Sequence, residues 1–318
     1  MKNIQREDIY IIGRNSNLSE QGIDKALKEN IYNNKEAWQK FLELFLITLG
    51  VGFTVSGIVF FFAYNWADLH KFVKFGLVEG LIIITTGIVL FLKINNTLKN
   101  IILTASAILV GVLFAVFGQI YQTGANAYDF FLAWTAFVTL WVIVSNFAGL
   151  WLLFLVLINT TFILYSEQVA KGWSEAFIYT ALFIINTTVL IAGILLSRKE
   201  KKVNVPNWFL NIVALSSTTY ATIGIVMGIF SQFKMAFPVL ILMVSIAFVL
   251  GIWYGFKTKK GFYLSIIPFS IIIIISALLI KISDNEIMFL FVSIFIITSI
   301  TLVIKNLIDL QKKWTNDK

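Results

Sequence analysis

Long apolar runs, separated by short polar breaks, dominate the chain from residue 42 onward. A helix needs about 20 apolar residues to cross the hydrocarbon of a bilayer. On that criterion the pattern predicts spans near 42–64, 73–92, 101–120, 129–145, 149–165, 176–196, 207–230, 236–256, 262–280 and 286–304. No run alternates with period two, so a barrel is excluded. Helices are then required, because lipid-exposed backbone must satisfy its own hydrogen bonds. The stretch 129–165 is too long for one span, and Ser145-Asn146-Phe147-Ala148-Gly149 supplies a turn that divides it.

Charge tests this count independently. Short loops on the cytoplasmic side of a membrane collect Lys and Arg. With ten spans and the N-terminus inside, 20 of the 25 basic residues fall inside. Lys71, Lys74, Lys171, Lys234 and Lys281 fall outside. Fusing the divided pair would move the cluster at Arg198, Lys199, Lys201 and Lys202 outside, against that bias. The expected fold is therefore an all-α integral membrane protein. It is a polytopic bundle of about ten transmembrane helices with both termini cytoplasmic.

Composition agrees. The chain is 58% hydrophobic and 13% charged, with mean hydropathy +0.86. A soluble domain carries roughly 25% charged residues. The net charge of +8 is explained by the topology anchors, so nucleic acid is not an expected partner; membrane lipids are. With no Cys and one His, thiolate chemistry and multi-imidazole metal sites are excluded. No cofactor, metal or catalytic spacing is expected. The oligomeric state does not follow from the sequence.

Three segments are expected. Residues 1–38 form a cytoplasmic amphipathic helical segment, a candidate surface for a protein partner. Within it Gly13 ends one helix, and Ser19 caps a second carrying Ile23, Leu27 and Ile31. Asn33 or Asn34 starts a third that runs into the first span. Residues 39–197 hold six spans, and 198–318 hold four more with a basic tail. That tail, with Leu307, Leu310 and Trp314 among lysines, reads as an interfacial helix.

Polar groups at membrane depth are the candidate chemistry. The densest run is Gly118–Trp134, GQIYQTGANAYDFFLAW, on the outer side between spans three and four. Its candidate ligand-binding residues are Gln119, Tyr121, Gln122, Asn126, Asp129 and Trp134. One reading is an outward-facing site for a small polar or cationic ligand. The other is an aromatic belt with a hydrogen-bonded turn. The first outer loop adds Asn65, Trp66 and Asp68, beside His70. At an offset of 61, Asn65 and Asp68 align with Asn126 and Asp129, and Gly50 and Gly57 with Gly111 and Gly118. A duplicated helical hairpin and chance matching both fit. Glu79 enters the second span by six residues, about 9 Å. A carboxylate there is expected to face the bundle interior, as an ion site or as a partner of Lys74. Asn159-Thr160-Thr161 and Asn186-Thr187-Thr188 read as hydrogen-bonding glue between spans five and six. Ser216 to Thr219 reads as a run bonding back to its own helix.

The motifs FFAYNWADL at Phe61–Leu69, with Lys74 and Glu79, and FGQIYQTGANAYDFFLAW at Phe117–Trp134 carry a resemblance. Over roughly the first half, the chain resembles the bacterial predicted-membrane-protein family called domain of unknown function 2157. That resemblance implies a multi-pass protein of the bacterial cytoplasmic membrane, and implies no reaction, ligand or catalytic residue. Three functions are compatible with the residues. The first is a transporter, flippase or small-molecule or lipid-binding protein with an outward-facing polar site. The second is a non-catalytic sensor or assembly scaffold. The third is an intramembrane enzyme acting on lipid head groups, drawing on Asp68, Asp129, Glu167 and Glu175.

Overall fold

The computed structural model describes residues 9, 19–30, 35–64, 69–121, 124–145, 147–199, 205–231, 236–282 and 286–316. Eleven helices lie among them: α1 Glu20–Asn30, α2 Lys35–Tyr64, α3 Lys71–Phe91, α4 Asn96–Tyr121, α5 Ala127–Ser145 and α6 Ala148–Gln168. They continue as α7 Glu175–Lys199, α8 Asn207–Phe230, α9 Ala236–Thr258, α10 Gly261–Ile282 and α11 Glu286–Asn316. Ten of these, α2 to α11, are long and apolar enough to cross a membrane. The protein is an all-helical membrane protein, as the hydropathy requires. The divided pair is two helices, with Phe147 extended between them.

The basic tail continues the last span, for α11 runs unbroken to Asn316. No Gly or Pro between Lys305 and Asn316 interrupts it. At the other end, Ser19 caps α1 as expected: its Oγ accepts the Gly22 N–H at 3.2 Å. Leu27 is buried. The expected helix ended by Gly13, and Ile31, Asn33 and Asn34, lie outside the described residues.

The chain divides into two compact units, Met1–Val116 and Phe117–Lys318. In the first, Thr86 on α3 and Ser106 on α4 join by their hydroxyls at 3.0 Å. Lys74 and Val78 are buried on α3, and Glu79, one residue on, is exposed. A helix advances about 100° per residue, which sets Glu79 beside the face that buries Lys74 and Val78. Lys74 lies on a different face from Glu79.

The second unit holds the larger core. Helix α8 is its centre, packing on α7, α9 and α10 and more lightly on α6. One apolar cluster joins Phe183, Ala221, Ile225, Leu240, Val244, Phe248 and Ile267 across α7 to α10. A second joins Leu155 of α6 to Phe209, Leu210 and Val213 of α8. Lipid is as apolar as these side chains, so burial of apolar area does not hold membrane helices together. Close backbone approach and hydrogen bonds do. Two Gly-x-x-x-Gly pairs provide the approach. A Cβ on Gly224 would meet Tyr179 at 2.7 Å and Leu240 at 2.8 Å, and one on Gly228 would meet the Phe237 ring at 2.1 Å. On α9, Gly251 and Gly255 sit likewise against Ile267 and Leu264 of α10.

Hydroxyls and amides supply the bonds. The Asn186 Nδ2 donates to Asn159 Oδ1 at 3.0 Å and to the Leu182 carbonyl at 2.8 Å. Its Oδ1 accepts from Asn159 Nδ2 at 3.2 Å and Ser216 Oγ at 3.1 Å. Every donor and acceptor position of this buried amide is filled. Thr187 and Ser217 join at 2.7 Å, and Thr222 and Ser270 at 2.6 Å. The expected glue between α6 and α7 is present, and it extends to α8 and α10. Ser216 and Ser217 bond across to α7 rather than only along their own helix.

Candidate functional site

One end of the second unit carries the turn Gly124–Asn126, the other the Thr258–Gly261 turn rich in lysine. They are called here the motif end and the basic end. At the motif end, α4 stops at Tyr121 and α5 starts at Ala127. Gly124 has φ +65°, the left-handed region where a side chain is strained. The Asn126 N–H donates to Asp129 Oδ2 at 3.1 Å, which ties the turn to the first turn of α5. A carboxylate there also faces the positive end of the helix dipole. The Tyr128 N–H, a second free donor of that helix start, reaches Gln168 Oε1 of α6 at 3.0 Å. Aromatic rings gather behind the turn. Tyr128 meets Tyr165 edge-on at 5.3 Å, and Tyr165 and Phe162 each lie 5.7 Å from Trp173.

This geometry places each candidate residue. Asp129 is half-buried, with a carboxylate oxygen used by the turn. Trp134 is half-buried against Phe130 and Phe131, each at 5.9 Å. Gln119, Tyr121 and Asn126 are exposed. Glu167 and Glu175 are exposed at the same end. Gln122, Asn65, Trp66 and Asp68 lie outside the described residues, and Glu79 and His70 are exposed in the other unit. The helix starts Lys35 and Asn96 keep the offset of 61, whereas Lys71 and Ala127 are 56 apart.

The sequence reading missed a second site, nearer the basic end. A cavity of about 620 Å³ opens among α7, α8, α9 and α10. That volume lies within the range of small-molecule pockets, roughly 300–1,000 Å³. Its wall is mostly aliphatic. Its polar groups are Thr187, Thr188, Ser217, Thr218, Tyr254 and Tyr263. Thr187 and Ser217 satisfy each other, so they offer the cavity little. Tyr263 differs. It is 3% exposed, its ring stands edge-on to Tyr254 at 5.3 Å, and among the described residues its hydroxyl has no hydrogen-bond partner. An unsatisfied buried hydroxyl costs roughly 1–3 kcal/mol. At the cavity's edge the exposed Trp253 carries the Lys257 ammonium over its ring at 4.6 Å. Close by, Lys260 Nζ donates to Asn207 Oδ1 at 2.8 Å.

No signal in the sequence marks Tyr263, since a Tyr two residues into a span reads as an interface aromatic. Among the described residues, no group of three His, Cys, Asp or Glu converges to hold a metal ion.

Residues 18–151 match a family model described as predicted membrane protein (DUF2157). The match encloses both motifs that carry the resemblance, and it ends before α7 to α10. No curated protein and no solved structure matches the chain.

Proposed function

We propose that this protein binds a membrane-borne amphiphile, in the transporter, flippase or lipid-binding class, within the α7–α10 cavity. The observation behind this reading is the buried Tyr263 hydroxyl, unpartnered among the described residues, on the wall of a mostly aliphatic chamber. Aliphatic walls suit a hydrocarbon tail. The Tyr263 phenol suits one ester, ether or hydroxyl oxygen on that tail's polar end. Tyr263 lies two residues inside α10, the depth at which lipid esters sit. Lys257, beside Trp253, offers a charge to a head group further out. The orientation follows from the basic-residue bias: the basic end faces the cytoplasm, both termini lie there, and the motif end faces outward. On this reading the membrane is the bacterial cytoplasmic membrane. Asn126 and Asp129 with their aromatic neighbours form the outer rim of the bundle, where exposed Gln119 and Tyr121 are the groups a polar ligand meets first.

Thermal unfolding of the purified protein with and without phospholipid tests this. Tyr263→Phe is expected to raise the stability of the delipidated protein, because it removes an unsatisfied hydroxyl. The same change is expected to shrink the stabilisation by added phospholipid. If the lipid-dependent rise in Tm is the same in both proteins, the reading fails.

A further inference from the structure

A second cavity, of about 660 Å³, runs along a different face of α9 between α8 and α10. Ile241, Phe248, Ile274 and Leu278 line it, and Phe248 touches both cavities. Its α9 wall extends from Phe237 to Ile252. That is about 22 Å at about 1.5 Å per residue. The shape fits an extended chain rather than a compact solute, and it passes the midplane of a hydrocarbon layer about 30 Å thick. At the motif end of this groove stands Lys281, exposed, with its ammonium 5.8 Å over the Phe230 ring. Among the described residues lining the cavity, Lys281 carries the only charge. Ser231, at the end of α8, and Ser245, on α9, add hydroxyls.

We infer that this groove is a binding site for an anionic phospholipid of the outer leaflet. One acyl chain lies between α8, α9 and α10, and the phosphate sits on Lys281. The inference rests on the lipid-binding reading above for its chemistry, and on a different cavity and a different cation for its evidence. A neutral or cationic partner would bring the exposed Lys281 no counter-charge. An anionic head group satisfies the ammonium while the chain fills the apolar wall. One elementary charge near a surface of anionic lipid is worth about a fivefold preference, since about 1 kcal/mol is gained per basic residue.

Native mass spectrometry of the delipidated full-length protein tests the site. The probes are phosphatidylglycerol and phosphatidylcholine of identical chains. The wild type is expected to retain phosphatidylglycerol at roughly fivefold lower lipid concentration than phosphatidylcholine. Lys281→Gln is expected to lose that preference for one bound lipid, and Lys281→Arg to keep it. Ile241→Trp, which fills the groove, is expected to remove one bound lipid without touching the charge. Equal phosphatidylglycerol retention by wild type and Lys281→Gln overturns the proposal. Equal retention of the two lipids by the wild type overturns it as well. Tyr263→Phe measured alongside separates the two sites. If it changes nothing while Lys281→Gln removes one phosphatidylglycerol, the α7–α10 reading fails and this one stands.

Discussion

Asn186 shows how much one polar side chain decides inside a membrane. Its amide is fully buried and exchanges two hydrogen bonds with Asn159 while taking a third from Ser216. Hydrogen bonds between membrane helices average about 0.6 kcal/mol each. Asn186→Leu is therefore expected to lower stability by about 2 kcal/mol, read as a drop in thermal midpoint in detergent. Asn159→Leu should cost less, because Asn186 keeps Leu182 and Ser216. The two effects should not add, since they remove the same pair of bonds. Asp129 is expected to behave as a structural residue of the same kind. Asp129→Asn keeps the turn and should be nearly neutral, while Asp129→Ala frees the Asn126 N–H and should cost about 1 kcal/mol. The Asn pair was legible in the sequence because both residues fall in the middle of consecutive spans, where an amide needs a partner. Tyr263 was not. What sets it apart is a missing partner, which only packing from α7, α8 and α9 creates.

At the scale of the helix, the hydropathy pattern carried nearly everything. The span read as 207–230 is α8, Asn207–Phe230, and the other spans begin within a few residues of the helices observed. The pattern failed where apolar character fades without a helix breaker, as at the C-terminal end of α11. It was also silent on which helices touch. The signals for that were present as Gly224-x-x-x-Gly228 and Gly251-x-x-x-Gly255, and their meaning depends on the facing side chains Leu240, Phe237, Ile267 and Leu264. Gly228→Leu is expected to push α8 away from α9, with a loss of about 1–3 kcal/mol from overpacking. Gly118→Leu serves as the comparison, since nothing lies within 4 Å of a Cβ there and its effect should be small. Comparing the two thermal midpoints checks both expectations. The candidate site at Gly118–Trp134 was legible as a turn with an aromatic belt. The cavities were not legible at all, because they are spaces between helices that no single segment describes.

For the whole molecule, topology and ligand go together: the groove at Lys281 meets the outer leaflet only if the motif end faces outward. The chain contains no cysteine, so single introduced cysteines report orientation cleanly. Ala125→Cys is expected to react with a membrane-impermeant maleimide in intact cells, and Gln311→Cys only after the membrane is opened. The reverse pattern would invert the assignment of both cavities. The lipid-binding reading itself is tested most directly by an experimental density map of the protein purified from its membrane into nanodiscs. The account predicts elongated density in the α7–α10 cavity, with a polar atom within hydrogen-bond distance of the Tyr263 hydroxyl. A cavity closed by its own side chains, or one holding water alone, would contradict it.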